Sequence, residues 1–168
     1  MMAFLCDRHR RQVLTETTTA ISFWEQWMRQ GSELFDQRQW QMAANYLGCS
    51  FEVAEWLVNK PRPVAKTDHV TESPANLSPI DRYMLAGHHL SECLGRCGRS
   101  DVELHYLLTV HLTLLNIVKA RGYQYWLLKQ HLEISLAMLR RYCQLYGAFR
   151  GYHDCYLETR LCIDQCMH

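Results

Sequence analysis

The chain has 168 residues and a formal net charge of +1, with 48% hydrophobic and 21% charged residues. This composition is that of an ordinary globular domain and excludes collagen-like, fibrous and wholly disordered proteins. Because the charge is balanced, no bulk electrostatic attraction to nucleic acid is expected, and we predict no nucleic-acid partner.

Neither the first residues nor the longest apolar stretch has the pattern of a targeting or membrane segment. Asp7 interrupts the opening apolar residues before a signal-peptide core of about 7 to 15 residues can form. Residues 106–120 contain polar side chains and fall short of the roughly 20 residues that span a bilayer. We therefore expect a cytoplasmic protein with no membrane partner, in which the eight cysteines are reduced thiols.

Two helices are predicted before residue 59, because apolar residues recur there at intervals of three and four. They span residues 11–36 and 40–58. All four prolines follow in residues 59–79, and this composition predicts a linker or long loop.

Four further helices are predicted after the proline-rich segment. Ser78 is a suitable N-cap for the first of them and Pro79 a suitable first residue, while Gly98 ends it. Ser100 and Glu103 form a capping-box pattern at the start of the next helix. The four helices are predicted at residues 79–97, 101–119, 123–146 and 151–167.

No alternation typical of strands accompanies these helical patterns, so the sequence predicts an all-α fold of antiparallel hairpins with about six helices. We expect a single domain over residues 1–168. Within it, residues 11–58 form an N-terminal hairpin, residues 59–79 the linker and residues 80–167 the C-terminal helices.

The N-terminal hairpin resembles a tetratricopeptide repeat, a helix-turn-helix unit of about 34 residues. The matching positions are Trp27, Gly31, Leu34, Trp40, Ala43 and Leu47. Gly31 and Ala43 would let the two helices approach closely, with the larger side chains around that contact. A weaker second copy runs from Leu90 to Val110 and departs from the pattern at Glu103, where the family has Ala. Residues 90–98 are also similar to the repeat-containing chaperones of bacterial secretion systems.

The resemblance implies a right-handed superhelix whose inner face binds a peptide segment of a partner protein; a helical bundle without repeat geometry is the alternative. Carried onto this chain, the groove positions are Glu25, Met28, Ser32, Phe35 and Asp36 in the first unit and His88, Glu92 and Arg96 in the second. Met28 and Phe35 would supply apolar contact, although a stripe at this spacing is equally consistent with the core. We therefore predict a protein-binding adaptor, with chaperone-like action as one variant and a second copy of the chain as a further candidate partner.

The signatures of common enzyme classes are not found in the sequence, so no enzymatic activity and no cofactor are expected. The alternative function is a small-ligand or metal-binding bundle. His111 and His131 lie on the apolar faces of neighbouring predicted helices at similar distances from the turn that joins them, and Cys166 falls near the same level. Such a layer is either a metal site or a buried polar network, since a buried imidazole needs hydrogen-bond partners.

Overall fold

The computed structural model describes residues 4–60, 77–121 and 126–165. These residues form α-helices and no strand, which confirms the predicted all-α class. Across these described ranges there are seven helices, where about six were predicted. They are α1 (Asp7–Val13), α2 (Thr17–Asp36), α3 (Trp40–Asn59), α4 (Pro79–Arg96), α5 (Ser100–Arg121), α6 (Trp126–Tyr146) and α7 (Tyr152–Gln165).

The additional helix arises because the first predicted helix is interrupted at residues 14–16. Leu14 closes α1, and Glu16 has the extended backbone of an N-cap residue, with φ −127° and ψ 148°. The Thr15 hydroxyl donates to the carbonyl of Gln12 at 3.2 Å and so satisfies one acceptor at the end of α1. The β-branched threonines around this break lose side-chain freedom in a helix, which favours the interruption.

Two compact units divide the chain, residues 1–90 and residues 91–168, with the boundary inside α4. In the first unit, α2 and α3 pack along their length and are joined by residues 37–39, which makes them an antiparallel hairpin. A Cβ atom at Gly31 would lie 2.7 Å from the side chain of Leu47, and Ala43 is fully buried. The predicted close approach of the two helices is therefore present, while a repeat superhelix stays a prediction.

In the second unit, α5, α6 and α7 pack against one another around a cluster of Leu107, Leu139 and Tyr142. Further apolar side chains surround this cluster: Leu104, Leu108, Met138, Phe149 and Tyr152. Within the residues described above, no helix is both long and apolar enough to cross a bilayer. Residues 61–76, most of the predicted linker, lie outside the described residues, and the single-domain organisation stays a prediction.

The two ends of α4 are confirmed as predicted. The Ser78 amide donates to the Asp81 carboxylate at 2.9 Å and the Asp81 amide donates to the Ser78 hydroxyl at 3.1 Å, a reciprocal N-terminal cap. Gly98 has a φ of 74°, and the Arg99 amide donates to the carbonyl of Leu94 at 3.0 Å, which is the Schellman pattern of a helix C-terminus.

The capping box predicted from Ser100 and Glu103 is not formed in this way, because Ser100 is itself the first residue of α5 and the Glu103 amide donates to the carbonyl of Arg99 at 2.9 Å. The Glu103 side chain lines a pocket in the second unit, together with Tyr142 and Tyr146.

Candidate functional site

The predicted groove residues of α2 do not form one open surface. Met28 is buried, and its sulfur lies 3.1 Å from the Ser50 hydroxyl, so it belongs to the core, as the alternative interpretation allowed. Phe35 is half-buried and packs edge-on against Trp40, with ring centroids 4.8 Å apart. Ser32 is half-buried. The exposed members, Glu25 and Asp36, lie about three helical turns apart.

The predicted residues of α4 are divided between the two units. His88 is half-buried in the first unit. Glu92 and Arg96 lie one turn apart in the second unit, where their charged groups are 3.6 Å apart, and both line the same surface pocket. The structure thus brings together two of the eight predicted groove residues with others that the sequence did not single out.

This pocket, the α4–α6 pocket, has a volume of about 440 Å³. Its walls come from the end of α4, the start of α5 and the end of α6. The lining residues are Glu92, Gly95, Arg96, Glu103, Leu107, Met138, Arg141, Tyr142, Leu145 and Tyr146. The pocket therefore combines four charged side chains with an aromatic and aliphatic wall.

Two arginines of the pocket share one carboxylate oxygen. Oε1 of Glu92 lies 3.6 Å from a guanidinium nitrogen of Arg96 and 3.8 Å from one of Arg141. These distances are those of ionic contacts and exceed the range of a well-formed hydrogen bond. Since the side chains of Arg96 and Arg141 are 55% and 53% exposed, their remaining N–H donors are accessible from solvent.

Glu103 lies deeper in the pocket than Glu92's arginine partners. Burial raises the pKa of its carboxyl group above the ordinary value, although the hydrogen bond from Tyr146 acts in the opposite direction. The carboxylate packs directly over Gly95, where a Cβ atom would collide with Oε2. A larger residue at position 95 would therefore displace the Glu103 carboxylate within the pocket.

The apolar wall extends out of the pocket onto the surface. Leu145 is 63% exposed and Tyr146 50% exposed, while Met138 is half-buried and Tyr142 nearly buried. Exposed apolar side chains beside polar ones are typical of sites that bind another molecule. Tyrosine and arginine are also the residue types that contribute most to binding at protein interfaces.

A second feature of this unit is the environment of His111, which is fully buried on α5. Its Nδ1 lies 3.2 Å from the Ser135 hydroxyl on α6, and its Nε2 lies 2.8 Å from the Thr159 hydroxyl on α7. Thr159 donates its own proton to the carbonyl of Cys155 at 2.7 Å. His111 must therefore donate to Thr159 through Nε2 and accept from Ser135 at Nδ1, which assigns the neutral tautomer.

This network differs from the predicted layer of His111, His131 and Cys166. The two partners of His111 are hydroxyl groups, which the sequence did not single out. His131 is half-buried on α6, and Cys166 lies outside the described residues. In the part of the chain that the structure covers, no three His, Cys, Asp or Glu side chains are placed to hold a metal ion, and none of the seven cysteines there forms a disulfide.

The residues of the pocket that the sequence did not reveal come mostly from α6. Arg141 and Leu145 are four residues apart, a spacing that places them on one helix face. That spacing is visible in the sequence, but nothing local shows that this face lies beside Glu92 and Glu103. Their juxtaposition depends on how the helices pack.

Compared with known proteins, the chain matches no family model, no curated protein and no solved structure. The α4–α6 pocket presents charged and apolar side chains to solvent at one place.

Proposed function

We propose that the chain is a protein-binding adaptor, without enzymatic activity, that takes up a peptide segment of a partner protein in the α4–α6 pocket. The segment carries an acidic side chain next to a large apolar one. The observation that supports this proposal is the meeting, in one pocket, of two half-exposed arginines with an exposed apolar wall.

The arginines favour an acidic group in the ligand. Arg96 and Arg141 both contact Glu92 at distances longer than hydrogen bonds, so each retains donors for a further carboxylate. A guanidinium group matches the geometry of a carboxylate and binds it through two parallel hydrogen bonds. Glu92 would then hold the two guanidinium groups on either side of the incoming acid.

The apolar wall favours a peptide over a small ion. Leu145 and Tyr146 continue the wall beyond the pocket, so a ligand that fills only the charged end leaves them exposed. A leucine or aromatic side chain next to the acidic residue would cover this surface, and its burial would contribute about 1.5 to 3 kcal/mol. The tetratricopeptide resemblance of the N-terminal hairpin supports the same class of function, since that family binds peptides.

The experiment is selection from a phage-displayed library of random peptides against the immobilised full-length chain. Selected peptides are expected to share an acidic residue beside a leucine or aromatic residue, and to lose binding to the variants Arg141→Ala and Leu145→Ala. A loss of at least about tenfold in affinity for each variant is expected from the usual cost of truncating a central interface residue.

Matched control variants separate the pocket from the rest of the surface. Leu161 is 62% exposed, nearly the same as Leu145, but does not line the pocket, and Arg150 is likewise exposed elsewhere. Leu161→Ala and Arg150→Ala should keep full affinity. If no peptide is enriched, or if the enriched peptides bind the pocket variants as well as the original chain, the proposal is wrong.

A further inference from the structure

Residues 4 and 5, which precede α1, contact α3 in the first unit through their main chain. The backbone amides of Phe4 and Leu5 both donate to Oε1 of Glu52, the second at 3.3 Å. The other carboxylate oxygen of Glu52 accepts a hydrogen bond from the guanidinium of Arg10 at 2.7 Å. The buried carboxylate of Glu52 therefore holds both the main chain at Phe4 and Leu5 and the side chain of Arg10. We call residues 4–13 the arm.

The Phe4 side chain packs on α3. Its ring lies directly on Gly48, where a Cβ atom would overlap three of its carbon atoms. The Sγ atom of Cys49 also lies 3.7 Å from the carbonyl of Phe4, and the next side chain, Leu5, is 3% exposed. Gly48, Cys49 and Glu52 thus contact both the main chain and the ring of the arm, and we call these three residues the α3 seat.

The charges of the arm and of the seat are complementary. Glu52 and Glu55 lie three residues apart on α3. Glu55 is half-buried, and its pKa is raised by burial and by the neighbouring Glu52. The arm supplies Arg10, whose pKa is raised by its hydrogen bond with Glu52. An acidic surface of this kind attracts a basic segment.

Few of the arm's side chains are buried. Residues 6–12 are all exposed, and the buried members are Leu5 and Val13. A connection of only residues 14–16 joins α1 to α2. The α3 seat therefore contacts two backbone N–H groups, an aromatic ring and one basic side chain. A segment of another protein can present the same groups.

We propose that the α3 seat is a binding site for a segment of a partner protein, and that the arm is its intramolecular competitor. The matching partner segment has an aromatic residue, then an aliphatic one, followed by a helical turn that carries an arginine six residues after the aromatic. This site lies on α3 and shares no residue with the α4–α6 pocket. While the arm occupies the site, the apparent affinity for a ligand equals the intrinsic affinity multiplied by the fraction of chains in which the site is open.

The test uses a fluorescent peptide of residues 4–14, with Cys6→Ser to avoid oxidation, and the full-length chain. Its affinity is measured by fluorescence anisotropy for the original chain and for Phe4→Ala, in which the arm lacks its ring. Phe4→Ala is expected to bind the peptide at least about tenfold more tightly, because its own arm competes less well. Arg10→Ala, which removes an exposed side chain and leaves no apolar void, should show a smaller gain in the same direction.

Two second-site variants test whether the peptide occupies the seat. Adding Glu52→Gln or Gly48→Ala to Phe4→Ala should abolish the gain, since the first removes the carboxylate charge and the second blocks the ring. A scrambled peptide of the same composition controls for unspecific attraction between the basic peptide and the acidic helix. Circular dichroism confirms that each variant keeps its helices.

Three outcomes would overturn the proposal. Equal affinity for the original chain and for both arm variants would show that the arm is a fixed part of the fold. Peptide binding that survives Gly48→Ala and Glu52→Gln would place the peptide elsewhere. Concentration-dependent dimers of the original chain that disappear in Phe4→Ala would assign the seat to the arm of a second copy instead.

Discussion

The buried polar side chains of the two compact units differ in kind. Among the described residues of the first unit they include the charged residues Glu52 and Arg82, whereas among those of the second unit they are neutral types, with His111, Ser135 and Thr159 as the connected set. Both of these buried charged residues are paired with a side chain at the surface: Glu52 with Arg10 and Arg82 with Glu25. The neutral set of the second unit is satisfied entirely by its own members and the backbone.

This difference has consequences for the conditions to which each unit responds. Arg10 and Glu25 are 48% and 59% exposed, so salt screens their attraction to the buried partner. Arg82 has a second support, because its guanidinium lies 4.7 Å above the ring of Trp24. The His111 network contains no ion pair, and it responds to protons because only the neutral imidazole satisfies it.

The largest expected effect is the pH dependence of the second unit. Burial lowers the pKa of His111 to about 4 from the ordinary 6.5. As the pH falls below 6.5, the unfolded chain takes up a proton that the folded chain does not take up until about pH 4. Stability from this group is therefore complete above pH 6.5 and is lost toward pH 4, by roughly 3 kcal/mol.

The measurement is the free energy of unfolding in urea across that interval, for the original chain and for His111→Gln. The amide of glutamine can hydrogen-bond to both hydroxyls but does not titrate, so the variant should lack this part of the pH dependence. Identical pH profiles for the two chains would contradict the assigned network.

A smaller effect is expected at the charged contact of the first unit. Glu52→Gln keeps an acceptor oxygen but removes the charge that holds Arg10 and the amides of Phe4 and Leu5. Hydrogen bonds to charged groups contribute about 1.5 to 3 kcal/mol. We therefore expect the free energy of opening measured by hydrogen exchange at these amides to fall by about 2 kcal/mol.

Glu55→Gln, one turn along α3, is the matched control and should change this protection much less. Added salt should weaken protection of the arm in the original chain and leave the amides around His111 unchanged. Equal salt sensitivity in both places would remove the distinction between the two units.

The smallest effect compares two helix ends with left-handed backbone. Arg38 follows α2 with a φ of 60°, whereas Gly98 follows α4 with a φ of 74°. Arg38→Gly should stabilise the chain by about 1 kcal/mol, and Gly98→Ala should destabilise it by a similar amount, as seen in thermal unfolding. No atom lies within 4 Å of a Cβ placed at Gly98, so the destabilisation expected for Gly98→Ala comes from the backbone conformation alone. No change at either position would contradict these assignments.

Local signals in the sequence predicted local features well. The N-cap at Ser78 and the end of α4 at Gly98 were predicted because residues near one another in the chain make those interactions. The pattern of Ser100 and Glu103 had the same form but a different outcome, since α5 begins at Ser100 and the Glu103 amide donates to the carbonyl of Arg99. A local pattern therefore indicates that a helix begins nearby without fixing which residue is its cap.

The candidate site was predictable only in part. Glu92 and Arg96 are one turn apart, and the sequence placed them on a common face. Arg141 and Tyr146 were not predicted, because their place beside Glu92 and Glu103 depends on the packing of α6. The burial of His111 followed from its apolar helix face, whereas its hydroxyl partners did not, since serine and threonine carry no pattern that marks them as buried.

The sequence by itself determined the all-α class, most helix bounds and the ends of α4, because helix periodicity and caps act over a few residues. Tertiary structure alone decided which helix faces meet, and hence the α4–α6 pocket, the His111 network and the arm on α3. Each of these joins side chains that are tens of residues apart along the chain, as with Glu52 and Arg10 or His111 and Thr159. Such contacts depend on the packing of complementary surfaces, for which short-range spacing holds no information.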